Sequence, residues 1–247
     1  MASRGQQDYY DTYWEEEGIT TRLPPGLLAL FERHVSSDDD CLDVGCGDGG
    51  TSGGWLHEHA GSYLGVDISE SAIEMASARG LDARLIDDAG DLPFPDGSFD
   101  LAICTEVLEH LFAPQRALAE IRRVLRPGGR VIVTVPNLAH WRNRLDLALF
   151  GRWNPRGDHL SPVEPWRDPH VRFFTLRSLV DLSESSEIEA VERGGHTQFG
   201  FPYFIPGLRR LTRTSRPRSA TRLLAKRFPR LLSETIYVVG RSGASRG

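Results

Sequence analysis

Residues 41–50 read Cys-Leu-Asp-Val-Gly-Cys-Gly-Asp-Gly-Gly, and the next apolar run, Tyr63-Leu-Gly-Val-Asp67, ends on an acid. The first segment is an apolar strand that enters a glycine turn, with a helix pattern at 51–60 behind it. Glycines at such a turn let the backbone approach a ligand closely. A strand, a turn, a helix and a second strand make a βαβ crossover, which belongs to a parallel sheet. An acid at the tip of the second strand is placed to accept hydrogen bonds from a ribose. The unit points to an α/β fold that binds an adenosine-containing cofactor.

Gly45-Cys-Gly-Asp-Gly-Gly50 satisfies G-x-G-x-x-G, the dinucleotide fingerprint. The carboxylates around it argue against a dinucleotide. Asp43 precedes the first glycine and Asp48 lies inside the loop, where both would repel a pyrophosphate. S-adenosylmethionine has an ammonium, a sulfonium, a ribose and no phosphate, and suits this loop better. Asp43 is then expected on the ammonium side, Gly45, Cys46 and Gly47 against the cofactor, and Asp67 on the ribose hydroxyls.

Four segments carry a family resemblance. Leu42-Asp-Val-Gly-Cys-Gly-Asp48 resembles the first motif of class I S-adenosylmethionine-dependent methyltransferases of the type 11, UbiE- and UbiG-like kind. Asp67-Ile-Ser-Glu-Ser-Ala-Ile73 resembles their second motif, and the stretch Asp87–Asp100 their third. Leu125-Arg-Pro-Gly-Gly-Arg-Val-Ile-Val133 resembles the strand that follows. The resemblance implies a Rossmann-like α/β fold with seven strands in the order 3-2-1-4-5-7-6, strand 7 antiparallel and helices on both faces. It implies S-adenosylmethionine as donor and S-adenosylhomocysteine as product. It places Ile68 and Ser71 at the second-motif contact, Asp88 and Ala89 against adenine, and Thr105 beside the methyl donor.

Strand patterns fall near 41–45, 62–67, 82–87, 99–104, 129–135, 188–193 and 234–240. Helix patterns fall near 25–34, 51–60, 70–79, 113–126 and 176–183. The chain reads as a single domain over 1–247, with an N-terminal helical arm or lid at 1–35. Two excursions, 137–175 and 196–232, interrupt the alternation beyond the strand ends, where loops build substrate sites. Tyr9, Tyr10 and Tyr13 in the arm are candidates to cover the methionine end of the cofactor.

Charge is divided along the chain. Residues 1–110 hold 23 acids and 5 bases, whereas residues 111–247 hold 11 acids and 24 bases. The basic half leaves an acidic partner conceivable, alongside a plain solvated face. No apolar run reaches the ~20 residues of a membrane helix, and no signal core opens the chain. Three cysteines spread over strands and a loop are poor disulfide material. A cytoplasmic protein with reduced thiols is expected.

Glu106-Val-Leu-Glu109-His110 follows the fourth strand. At helical spacing the two carboxylates and the imidazole share one face, an arrangement able to hold a divalent cation or to work as pocket acid and base. The run resembles the Glu-x-x-Glu-His of small-RNA 2′-O-methyltransferases and ubiquinone-pathway O-methyltransferases. In those RNA enzymes a further His comes from downstream, and here His170 in Asp168-Pro-His-Val-Arg-Phe-Phe-Thr175 is comparably placed. His110 and His170 are the candidate catalytic groups near the acceptor, without a metal. His140 and His159 are weaker candidates. The stretch Pro136–Trp153 and the later Pro165–Thr175 resemble MetW-like proteins of methionine biosynthesis. The expected activity is transfer of a methyl group to a small-molecule acceptor, as O-methylation of a natural product, sugar or lipid-linked metabolite, with no nucleic acid expected. The alternatives are a MetW-like, S-adenosylmethionine-binding partner protein and an RNA 2′-O-methyltransferase with a Glu-Glu-His metal site.

Overall fold

The structure is a computed structural model that describes residues 4–17, 23–152, 169–197 and 227–243. Its centre is a seven-stranded sheet in the order β3-β2-β1-β4-β5-β7-β6. The strands are β1 (Asp40–Val44), β2 (Ser62–Asp67), β3 (Ala83–Leu85), β4 (Phe99–Thr105), β5 (Leu125–Pro136), β6 (Ile188–His196) and β7 (Thr235–Ser242). β1 to β5 pair in parallel, and β7 runs antiparallel to both β5 and β6. Order and directions are those the resemblance implied.

Parallel strands buried on both faces read as continuous apolar runs. Along β4 the faces alternate. Ala102 and Cys104 enter one core with α5 (Pro114–Val124) and α7 (Leu176–Ser185). Leu101 and Ile103 enter the other, with α2 (Pro25–His34) and α3 (Gly53–His59). α4 (Glu70–Ala78) starts at Ser69, whose Oγ accepts from the Ala72 N–H at 3.2 Å. α7 starts in a capping box between Thr175 and Ser178.

Two elements differ from the sequence reading. α5 ends at Val124, and β5 begins at Leu125 rather than 129. The Leu125–Phe99 and Arg130–Leu101 pairs bracket a bulge that holds Gly128 at φ +80°. The first excursion contains a helix, α6 (Trp141–Phe150), that buries no residue. Its side chains make no single apolar stripe, so periodicity gave no signal. The parts of both excursions at 153–168 and 198–226, with His159, lie outside the described residues. Among the described residues, no helix is long and apolar enough to cross a membrane.

The two charged halves meet where the strands begin. Arg130 binds Asp39 at 2.6 Å, and Arg126 bridges Asp40 and Asp100. These pairs sit at the end of the sheet opposite the glycine turn, and they use part of the basic surplus to bind the acidic half.

Candidate functional site

The glycine turn leaves β1 and doubles back over β2. The Gly45 and Cys46 N–H groups donate to the Val66 carbonyl at 2.8 and 3.1 Å. Gly45 and Gly47 have φ of +74° and +54°, a region that side chains disfavour. Space is as tight as conformation. A Cβ on Gly45 would lie 2.3 Å from Val107, and one on Gly47 would lie 2.5 Å from the Trp14 indole. Asp67 fixes the turn from the next strand. Its Oδ2 accepts from Gly47 N–H at 2.9 Å, and its Oδ1 accepts from Ser69 N–H at 3.0 Å. Burial raises its pKa against the effect of those bonds.

The other two carboxylates are committed elsewhere. Asp48 binds Arg79 at 2.8 Å and accepts from Gly50 N–H. Asp43 is fully buried beneath α3, where its Oδ2 accepts from Ser52 Oγ at 2.9 Å and Tyr63 Oη at 3.2 Å. Its Oδ1 has no hydrogen-bond partner among the described residues. Burial pushes the Asp43 pKa up to about 6, with the two hydroxyls opposing.

Beyond the strand ends lies a cavity of about 510 Å³. The glycine turn, Asp67, Ile68, Ile86 and Ala89 form one wall, and Thr105, Glu106, His110, Thr134 and His170 form another. α1 (Arg4–Glu17) crosses above, bringing Tyr10, Tyr13 and Trp14. Its Asp11 accepts from Ser69 Oγ at 2.7 Å and from Ser71 N–H at 3.3 Å, at the positive end of α4. Among the described lining residues there is no Lys or Arg.

The polar wall is assembled from distant segments. The Glu109 carbonyl accepts from Val171 and Arg172 N–H at 2.8 and 3.0 Å, which brings His170 beside the turn Leu108–His110. The His110 and His170 rings stand 4.6 Å apart, and Tyr10 meets His110 edge-on. Glu109 is buried, with Oε1 3.9 Å from Nε2 of both histidines. Their ligand atoms lie within 4.8 Å of one another, close enough to hold a cation. Glu106 does not join them, because 106–110 is not an α-helix. Glu106 has φ +56° and turns to Thr134, whose Oγ1 donates to its Oε1 at 2.8 Å.

Of the ten residues read from sequence as cofactor contacts, Gly45, Cys46, Gly47, Asp67, Ile68, Ala89 and Thr105 border the cavity. Asp43 lies behind the turn. Ser71 Oγ faces Glu15 of α1 at 3.3 Å, and Asp88 accepts from Gly90 N–H at 2.8 Å. His110 and His170 both border the cavity, and His140 does not. Sequence reasoning missed Thr134 and His196. Both come from the antiparallel end of the sheet, and no local pattern marks them.

Residues 42–133 match the family model described as a methyltransferase domain. The chain is 33% identical over 172 residues to a tRNA (carboxymethyluridine(34)-5-O)-methyltransferase of Arabidopsis thaliana, covering 65% of this chain and 40% of that protein. It is 32% identical over 137 residues to the 27-O-demethylrifamycin SV methyltransferase of Amycolatopsis mediterranei, covering 51% of this chain and 50% of that one. It thus spans half or less of these relatives' length. Its fold matches a chain in the Haloferax volcanii complex of the Trm112 methyltransferase activator with a methyltransferase, with TM-score 0.64, 20% identity and 99% of each chain covered. Ordered motifs, sheet order and sequence relatives agree: residues 42–133 are a methyltransferase domain, and the sheet is the Rossmann-like sheet of class I S-adenosylmethionine-dependent methyltransferases.

Proposed function

We propose that this chain transfers a methyl group from S-adenosylmethionine to a hydroxyl of a small-molecule acceptor. One observation carries the reading: a single cavity joins the glycine turn and Asp67 to a wall of Glu106, His110 and His170, with no Lys or Arg among the described lining residues. Among the described lining residues a pyrophosphate would meet no Lys or Arg, whereas a sulfonium and an ammonium would meet carboxylates and aromatic rings. Asp43 fits the same cofactor, since a buried Oδ1 lacks a donor behind the loop.

In this reading Gly45, Cys46 and Gly47 offer backbone, Asp67 takes the ribose hydroxyls, and Ile86 and Ala89 flank adenine. Ile68 and Thr105 complete the wall. The cofactor supplies a methyl group on a cationic sulfur. The protein aligns that methyl with the acceptor. α1 excludes water through Tyr10, Tyr13 and Trp14. His110 and His170 stand where an acceptor hydroxyl enters.

The test is transfer of tritium from methyl-labelled S-adenosylmethionine to a panel of catechols, hydroxyquinones and sugars, with bulk tRNA as a separate arm. Labelled small molecules, with Asp67→Ala losing both transfer and S-adenosylhomocysteine binding, support the reading. Label in tRNA alone, the acceptor named for the Arabidopsis relative, overturns the small-molecule class. Tight S-adenosylhomocysteine binding with no transfer to any acceptor overturns the activity and favours a MetW-like partner protein.

A further inference from the structure

We propose that Glu106 is the catalytic base that takes the proton from the acceptor hydroxyl, a role that rests on the hydroxyl-methylation reading above. Glu106 is the first residue past β4, at the strand end where ligands of open parallel sheets sit. Its φ of +56° is a conformation that side chains disfavour. The other described non-glycine residue with positive φ is Glu187, which closes the turn after α7 as a helix terminus does. No helix end accounts for Glu106. Strain at a cavity wall, away from any cap, marks a side chain held for use.

Thr134 holds it at two points. The Glu106 N–H donates to the Thr134 carbonyl at 3.0 Å, and the Thr134 hydroxyl donates to Oε1 at 2.8 Å. Val107 fills the space a Cβ on Gly45 would need, so the strained turn is wedged against the glycine loop. One carboxylate oxygen is thereby fixed. The other has no hydrogen-bond partner among the described residues, and the side chain is open to the cavity.

The chemistry of the group matches its place. The side chain is exposed within the cavity, and desolvation by the cavity walls pushes its pKa up to about 7 against the Thr134 bond. A base of that strength takes a proton near neutrality and returns it to solvent after turnover. Tyr10 and Tyr13 of α1, Cys46 and Asp48 of the glycine turn, Asp67 at the end of β2, His110, His170 and His196 face the same cavity, and Glu109 is buried against the two histidines.

The step balances. The acceptor oxygen forms a bond to the methyl carbon, and the carbon–sulfur bond breaks with its electron pair passing to sulfur. The hydroxyl proton passes to the Glu106 carboxylate, leaving a neutral acid, a neutral thioether and the methyl ether.

The experiment combines a readout free of turnover with one that needs it. Protein labelled with 13C in glutamate is titrated by NMR in its S-adenosylhomocysteine complex, and the Glu106 carboxyl is assigned by its loss in Glu106→Gln. A midpoint near neutrality is expected, and one in the ordinary carboxylate range overturns the proposal. Glu106→Gln should bind S-adenosylhomocysteine within threefold of wild type. Binding weakened tenfold or more makes Glu106 a cofactor ligand and overturns the base role. With the panel hydroxyl that wild type methylates, Glu106→Gln should lose 10²–10⁴-fold in kcat, and with it the limb of the pH profile that rises toward 7. Retention of that limb, or a loss under tenfold, overturns the base role alone. Wild type that binds S-adenosylhomocysteine but methylates no hydroxyl overturns the reading beneath it as well.

Discussion

Replacing Asp43 by Asn should make the protein relatively more stable at pH 8 than at pH 4.5. Asp43 is fully buried, and its pKa rises from an ordinary 3.8 to about 6 because burial penalises the ionised form. A folded pKa above the unfolded one means that the folded state holds the proton more tightly. The associated stability is complete below the unfolded pKa and is lost as pH rises through the folded one. The rise from 3.8 to about 6 corresponds to a full loss of about 3 kcal/mol. Between pH 4.5 and 8 roughly 2 kcal/mol of it is traversed. Asn keeps an oxygen for the Ser52 and Tyr63 hydroxyls but has no charge to lose. Its amide meets no acceptor at the Oδ1 position, a cost that is the same at both pH values. The quantity to measure is the change in the mutant-minus-wild-type difference, from urea unfolding of ligand-free protein at the two pH values. Carboxyls shared by both proteins cancel. A difference that moves by less than about 0.5 kcal/mol, or toward the mutant's disadvantage at pH 8, would refute the assignment of buried charge to Asp43.

Two further substitutions address the glycine turn and its cover. Gly45→Ala combines φ +74° with a 2.3 Å approach to Val107, and should cost about 2–4 kcal/mol in urea unfolding. Adding Val107→Ala should restore the steric part only, and full restoration would show that φ contributes nothing. Trp14→Ala removes the indole that lies on Gly47. Stopped-flow release of S-adenosylhomocysteine should quicken about tenfold, on the order of 1.4 kcal/mol, and an unchanged rate would remove α1 from the site's closure.

What was legible in the sequence was what a short segment encodes by itself. Asp67 and the glycines sit within one crossover, so their order sets their geometry, and the sheet order is the one that the family resemblance implies. Asp43 was read toward the ligand, but its neighbours Ser52 and Tyr63 come from α3 and β2 and turn its carboxylate beneath the helix. The Glu106–His110 run failed for a related reason. Helical spacing puts Glu106 with Glu109 and His110, but the backbone turns left-handed at Glu106, and only a 3-10 turn follows. Thr134 then takes Glu106, while backbone bonds from Val171 and Arg172 bring His170 to the place it vacates. These are contacts between segments tens of residues apart, and periodicity holds no information about them. Part of the charge surplus of the second half is taken up inside the fold, where Arg126 and Arg130 bind Asp39, Asp40 and Asp100 at the far end of the sheet, whereas the basic run at 198–226 lies outside the described residues.

The carboxylates that line the cavity, and Asp43 buried behind its glycine turn, have a consequence for cofactor binding. Burial raises Asp43 to about 6 and Glu106 to about 7, and it raises Asp67 as well. At pH 6 part of this set is therefore protonated in the ligand-free protein. A cation brought among such groups favours their ionised forms and lowers each affected pKa by one unit or more. Binding must then release protons. S-adenosylmethionine carries a sulfonium charge that S-adenosylhomocysteine lacks, whereas their other contacts are shared. The difference between the two ligands isolates that charge. Calorimetry at pH 6 in buffers of different ionisation enthalpy should show release of on the order of half a proton or more for S-adenosylmethionine, and less for S-adenosylhomocysteine. At pH 8, where Asp43 is already ionised and Glu106 largely so, the release should fade. Equal release for both ligands at pH 6 would mean that the sulfonium does not meet these carboxylates, and the electrostatic basis for choosing a cationic cofactor at this loop would fall with it.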